Sequence, residues 1–286
     1  MTETMDLTTA TRTLTIKASP ERLFEALTTP DQLKTWFCDG IETDLKVGGP
    51  FRFWGRTILG TGTAESARQT LSALEPPKSL EVQWPYEGFD SVLSYEVQPA
   101  DGGSSVLAKH VIPGNTDYIT LAMSHDGLKV ALYNLRHYLE NGEALVQFDL
   151  TNLTTTVTCS VTIQAPKEDV WAALTDPEKM DIWISEGAKV DLQEGGDYSY
   201  GWGLGPEKIL GLKEGECLVT DWHFEDEPNT TVEWTLEGDG GTTTLKLTHS
   251  GFTQPDQTRG YNQGWGAFLG AIKAVVEGRD LAEKTA

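Results

Sequence analysis

The sequence predicts an α+β protein made of two tandem copies of one domain, each a curved antiparallel sheet wrapped around a long C-terminal helix. Three observations carry this: an internal repeat at constant offset, strand-like alternation opening each copy, and helical spacing closing each copy. The length of 286 residues agrees, being about twice that of a common domain.

The repeat is direct. Ile16, Ala18, Leu23, Phe24, Ala26, Leu27, Pro30 and Trp36 return as Ile163, Ala165, Val170, Trp171, Ala173, Leu174, Pro177 and Trp183, each 147 positions later. The same offset carries Gly48-Gly49 to Gly195-Gly196, and Phe51 and Phe53 to Tyr198 and Tyr200. Domains are therefore expected over 10–142 and 156–279. In order along each copy, Leu14, Ile16 and Ala18, or Val157, Cys159, Val161, Ile163 and Ala165, alternate with polar residues as in a half-buried strand. Ser19-Pro20 then supplies an N-cap and a first-turn proline for a short helix bearing Leu23, Phe24, Ala26 and Leu27. Pro30 and Pro177 break that helix and open a second, carrying Leu33 and Trp36 or Met180 and Trp183. The middle of each copy reads as strands separated by turn clusters at 46–50, 75–77 and 100–103, and at 194–197 and 237–241. A final helix presents Leu128, Leu132, Leu135 and Leu139 before Asn141-Gly142, or Trp265, Phe268, Leu269, Ile272 and Val276 before Gly278. The connection 143–155 contains Leu145, Val146, Phe148 and Leu150 and is expected to pack in part against a domain.

Composition bounds the function. Apolar residues make up 38% of the chain and Trp numbers nine, enough for true cores. Asp and Glu outnumber Lys and Arg by 43 to 22, a formal charge of −21 that repels phosphate backbones and anionic lipid, so neither nucleic acid nor membrane is an expected partner. The acidity fits ordinary solubility and a salt-loving host alike. Cys38, Cys159 and Cys217 form no CxxC unit and predict neither a disulfide framework nor a zinc site. With no apolar run of membrane length and a polar, Thr-rich N-terminus, a cytoplasmic protein is expected.

Chemistry-bearing motifs are sparse. His110, His125, His137, His223 and His249 lack metalloprotease spacing, so no metal and no cofactor are expected. His249, in Thr-His-Ser-Gly, is the first candidate for acid–base work, but a solitary histidine more often serves as a hydrogen-bonding strut, and no catalytic residue is assigned. There is no Gly-x-Ser-x-Gly elbow. The glycine runs 201–205 and 238–241 match no phosphate-binding loop and read as turns, and Glu225-Asp226-Glu227 reads as a solvated loop. Aromatics are more informative. Alternation sets Tyr198, Tyr200 and Trp202 on one strand face, with Trp222 and Trp234 in later strands and Phe53, Trp84 and Tyr95 at comparable places in the first copy. A packed core and a cavity wall both fit this set. Together with His249 they are the candidate ligand-binding residues.

The run Ala18-Ser19-Pro20-Glu21-Arg22-Leu23-Phe24 through Trp36, the turn Gly48-Gly49-Pro50-Phe51-Arg52-Phe53, and Leu245 through Phe252 followed by Gly264-Trp265 strongly resemble the SRPBCC (START-like, helix-grip) superfamily. Within it they are most similar to the homologues of the activator of heat-shock protein 90 ATPase, and the resemblance runs twice over nearly the whole chain. It implies a hydrophobic cavity between sheet and final helix, which binds lipids or other small molecules in many relatives and is catalytic in a few. Two departures imply that the two cavities differ: Lys109 to Gly114 stands where the second copy has Thr248 to Phe252, and Gly127-Leu128 replaces Gly-Trp. The family's eukaryotic chaperone activators carry a different N-terminal domain for their partner, and no such segment is read here. The expected function is therefore non-catalytic binding of a small hydrophobic or amphipathic molecule, chiefly in the second domain. The alternatives are an interaction protein resembling the chaperone ATPase activator, with a chaperone as its less supported partner, and a cyclase-like or hydrolytic enzyme on a hydrophobic substrate.

Overall fold

A computed structural model describes residues 6–224 and 227–283, the side chain of residue 239 excepted. The chain divides into two compact units, one running to Asn152 and including Ala282 and Glu283, the other spanning Leu153–Leu281.

In the first unit, β1 (Thr9–Ile16) leads into α1 (Pro20–Thr28) and α2 (Pro30–Trp36), followed by β2 (Gly40–Thr43), β3 (Phe51–Trp54), β4 (Thr70–Glu75), β5 (Ser79–Tyr86), β6 (Phe89–Ala100), β7 (Gly103–Val111) and α3 (Tyr118–Asn141). In the second, β8 (Thr156–Ile163), α4 (Lys167–Thr175) and α5 (Pro177–Trp183) precede β9 (Lys189–Val190), β10 (Tyr198–Ser199), β11 (Ile209–Lys213), β12 (Cys217–Trp222), β13 (Thr230–Asp239) and β14 (Thr242–Ser250). A 3-10 turn over Pro255–Thr258 then opens α6 (Arg259–Val276). The large sheets are antiparallel, in the orders β1-β7-β6-β5-β4 and β11-β12-β13-β14-β8, and each packs one face against its long closing helix, α3 or α6. The expected α+β tandem is thus the architecture found.

Local chemistry explains the elements. Ser19 caps α1 by accepting from the Arg22 amide, and Pro20 and Pro30 occupy first-turn positions where a missing N–H costs nothing. Gly142 ends α3 at φ 86°, a left-handed conformation that glycine adopts without Cβ strain. The repeated glycine pair is also explained. Gly48 and Gly195 have φ of 82° and 80°, while a Cβ on Gly49 would fall 2.4 Å from Asp44 Oδ1 and one on Gly196 would fall 2.0 Å from the Asp191 carbonyl.

The repeat extends to individual hydrogen bonds. Trp36 Nε1 donates to the Ala26 carbonyl (3.0 Å) and Trp183 Nε1 to that of Ala173 (2.8 Å), tying each second short helix to the first. Thr28 and Thr175 donate back to the Phe24 and Trp171 carbonyls, and Ser104 and Thr243 donate to those of Ala18 and Ala165. These bonds recur at equivalent places in the two copies and give their shared architecture a physical basis.

Several expectations need correction. The final helix of the first copy begins at Tyr118 rather than near Gly127, because the Asp117 carboxylate accepts from the Ile119 and Thr120 amides and starts the helix early. Leu139 is only half-buried. Strand β13 runs through Glu237 to Asp239, so the turn expected from residue 237 closes on Gly240 and Gly241 instead. The connection packs as anticipated: Val146 and Phe148 are buried, and the Asn134 side chain donates to the Val146 carbonyl (3.0 Å) and accepts from its amide (2.9 Å). No described helix is long and apolar enough to cross a membrane.

Candidate functional site

The second unit gathers its aromatics on the sheet face that packs against α6. Alternation turns Trp222 of β12, Trp234 of β13 and His249 of β14 inward, and the β13–β14 register sets Trp234 opposite Leu247 and Val232 opposite His249. Trp222 packs edge-on against Trp265 (5.1 Å between ring centres) and Trp234 against Trp265 (5.6 Å). Tyr198 and Tyr200 are fully buried and in ring contact, and the Tyr198 hydroxyl donates to the Leu174 carbonyl (2.7 Å).

Trp202 departs from expectation. Strand β10 holds only Tyr198 and Ser199, because Gly201, Gly203 and Gly205 adopt φ of 80°, 74° and 89° and end the ladder. Trp202 therefore lies on a glycine loop, 37% exposed, with its ring against Tyr200 (5.1 Å) and Phe268 of α6 (6.1 Å). Leu204 on the same loop is 36% exposed.

The polar tips of this cluster are largely engaged with one another. Trp265 Nε1 donates to His249 Nδ1 (3.0 Å), and since an indole N–H can only donate, the imidazole proton sits on Nε2, which donates to Thr230 Oγ1 (2.8 Å). Burial depresses the His249 pKa to about 3, so the ring is neutral. Trp222 Nε1 donates to the Tyr261 hydroxyl (3.0 Å), which donates to Glu227 (2.6 Å). Glu227 is thus a hydrogen-bond partner of the aromatic cluster rather than simply part of a solvated loop; Glu225 and Asp226 lie outside the described residues.

The first unit repeats the plan with different tips. Trp84 packs on Phe53 (5.2 Å), Tyr86 (4.9 Å) and His110 (5.2 Å, stacked). Ser91 donates to the Trp84 carbonyl (2.6 Å), so its oxygen accepts from His110 Nε2 (2.7 Å), while His110 Nδ1 accepts from Ser124 of α3 (2.7 Å). His110 has the same tautomer as His249, and its pKa is likewise lowered by burial to about 3. Each domain thus ties the end of a strand to its closing helix through one neutral imidazole. Among the described residues of this aromatic cluster, Trp84 Nε1 and the Tyr95 hydroxyl are buried donors without a hydrogen-bond partner, as is Trp234 Nε1 in the second unit. Tyr95 pairs in register with Leu80, four residues along β5 from Trp84, and so sits farther down the same sheet face.

Sequence reasoning missed Tyr261, Phe252 and Phe268 in this setting. Tyr261 and Trp265 are four residues apart, a spacing that would have signalled a shared helix face had α6 been started at Arg259. It also missed a surface group, Glu207, Asp221 and His223, whose ligand-capable atoms lie within 4.8 Å of one another. His223 there faces two acceptors, Asp221 Oδ2 and Asn229 Oδ1 (both 2.9 Å), which raise its pKa through hydrogen bonds to Asn229 first and Asp221 second. Asp221 Oδ1 accepts from the Glu207 and Lys208 amides. Asp221 thus joins His223 to the Glu207 and Lys208 backbone through hydrogen bonds at the sheet edge. All three cysteines are free, and burial pushes Cys38 and Cys159 up to about 12, far from thiolate reactivity.

Comparison with known proteins matches the model of the family described as Activator of Hsp90 ATPase homolog 1-like protein over residues 17–140 and again over 164–277. Among solved structures, CalU16 from Micromonospora echinospora is 28% identical, covering 44% of this chain and 76% of its own, with a TM-score of 0.39. An AHSA1-like protein from Rhizobium etli is 29% identical over 45% of this chain and 85% of its own, with a TM-score of 0.38. The Aha1 dimer from Colwellia psychrerythraea is 24% identical, covering 47% and 97%, with a TM-score of 0.40. No curated protein matches the chain.

Proposed function

The chain belongs to the family of activator of Hsp90 ATPase homolog 1-like proteins, and we propose that it binds a small hydrophobic or amphipathic molecule between sheet and closing helix, with the second domain as the principal site. The observation that carries this reading is Trp202. A tryptophan left 37% exposed on a loop of left-handed glycines, leaning on Phe268 and Tyr200, gives an otherwise buried aromatic cluster a solvent-facing apolar edge. Behind it stand Tyr198, Tyr200, Trp222, Trp234 and His249 as the candidate wall. The first domain supports the same reading differently: unpartnered Trp84 Nε1 and Tyr95 hydroxyl donors favour a ligand carrying an acceptor oxygen, with Phe53 as apolar neighbour.

Binding is favoured over a cyclase-like or hydrolytic activity because both core histidines are neutral with both ring nitrogens engaged, leaving neither as a free acid or base.

A thermal-shift screen of fatty acids, sterols and aromatic polyketides tests the proposal. A ligand at a hundredfold excess over its Kd adds about 2.7 kcal/mol. Trp202→Ala is expected to keep the fold and weaken binding, and Trp222→Phe to weaken it less than Trp222→Ala. No shift from any class, together with a native mass spectrum free of co-purified molecules, overturns the reading. A chaperone ATPase stimulated by the chain under those conditions would turn it toward the interaction role that the family description suggests.

A further inference from the structure

The two sheets end differently at their β1 and β8 edges. In the second unit the edge is served by side chains of its own closing helix: Lys273 donates to the Thr162 carbonyl (2.7 Å), and Glu277 accepts from the Gln164 amide (2.8 Å). In the first unit Thr13 of β1 instead exchanges a reciprocal pair of backbone hydrogen bonds with Glu283, its amide donating to the Glu283 carbonyl (2.9 Å) and its carbonyl accepting from the Glu283 amide (3.0 Å). That is the close-spaced pair of an antiparallel ladder, formed on the side of β1 away from β7. One residue earlier, the Ala282 amide donates to the Tyr133 hydroxyl of α3 (3.1 Å). Ala282 is 7% exposed and Tyr133 2% exposed, so this contact is buried.

We propose that the β1 edge and Tyr133 together form a strand-addition site for a short extended peptide, filled in this structure by the chain's own C-terminal segment. An edge strand with free ladder groups is a template for any extended segment of the right chemistry. The chemistry required here is specific. The peptide must carry a small residue where Ala282 is enclosed, an N–H there for the Tyr133 oxygen, and a non-proline residue next for the reciprocal pair with Thr13. Because the resident segment is tethered, its effective concentration is on the order of millimolar, and a free peptide competes only once the resident segment is displaced.

The experiment uses the full chain carrying Glu283→Pro, which removes the amide that donates to Thr13, and a fluorescein-labelled peptide with the sequence of residues 278–286. The peptide is expected to bind the variant at least tenfold more tightly than the wild-type chain. The same peptide with proline at the Glu283 position is expected not to bind. Hydrogen exchange at the Thr13 amide provides the second readout: protected in the wild type, unprotected in the variant, and protected again on adding peptide. Equal peptide affinity for the two chains, no binding to a variant whose Thr13 amide has become exposed, or a Thr13 amide equally protected in both chains would each overturn the proposal.

Discussion

His249 and His110 show how one residue type is used twice for one purpose. Each is buried in its domain, each accepts at Nδ1 from the closing helix, and each donates from Nε2 to a hydroxyl on the neighbouring strand, Thr230 or Ser91. Burial holds both near pKa 3, against 6.5 for an exposed imidazole, so on acidification the unfolded chain takes up protons first. Their stabilising contribution is complete above pH 6.5 and shrinks as the pH falls toward 3, by about 1.4 kcal/mol per imidazole per pH unit. His249→Gln keeps an acceptor for Trp265 and a donor for Thr230 but cannot titrate. Its melting temperature is expected to fall less steeply than that of the wild type between pH 6.5 and 4, and parallel slopes would contradict the assignment. At the surface, Glu207, Asp221 and His223 are expected to work without a metal, since both His223 ring nitrogens are engaged. EDTA should therefore leave the melting temperature unchanged; a drop of several degrees restored by one divalent ion would show the opposite.

Among the elements, the connection after α3 depends on one side chain. Asn134 bonds both the amide and the carbonyl of Val146, and its own side chain is buried. Asn134→Ala leaves two buried backbone groups without partners and is expected to cost about 2–4 kcal/mol, read as a lower urea midpoint at unchanged slope. Elements set by local chemistry were legible: the capped Ser19-Pro20 helix, the proline-started α2 and α5, and the alternation of β8. Those set by distant partners were not. Alternation alone carried Trp202 onto a strand, yet a Cβ on Gly201 would lie 2.2 Å from the Glu186 carbonyl, a close approach that only the folded loop reveals. Arg12 shares the inward face of β1 with Leu14 and Ile16 and occupies the repeat position of Cys159, so its place is legible from alternation, whereas its burial to 7% exposure is set by the packing of the folded domain. The partners of the candidate histidine also escaped the sequence, since Thr230 reaches His249 only through the β13–β14 register.

For the molecule as a whole, the repeat was legible early and blurred later for a geometric reason. The offset is 147 from Ile16 to Phe53, but His110, Ser91 and Ser104 correspond to His249, Thr230 and Thr243 at 139, because the middle of the second copy is shorter. Each unit has its own sheet and closing helix, so residues 1–150 and 151–286 expressed separately are each expected to melt cooperatively. Since Ala282 and Glu283 belong to the first unit, the 1–150 fragment is expected to melt below the corresponding transition of the full chain. Failure of both fragments to melt cooperatively would contradict the division. The proposed binding role is tested most directly by following the indole N–H resonances of the nine tryptophans by NMR while the full chain is titrated with each class of screened compound. Trp202 on its glycine loop, and Trp84 with its unpartnered Nε1, should shift in a saturable way, whereas Trp36 and Trp183, bonded to the Ala26 and Ala173 carbonyls, should stay in place. Indole resonances that remain unmoved at saturating concentrations of every class would contradict a binding site in either domain.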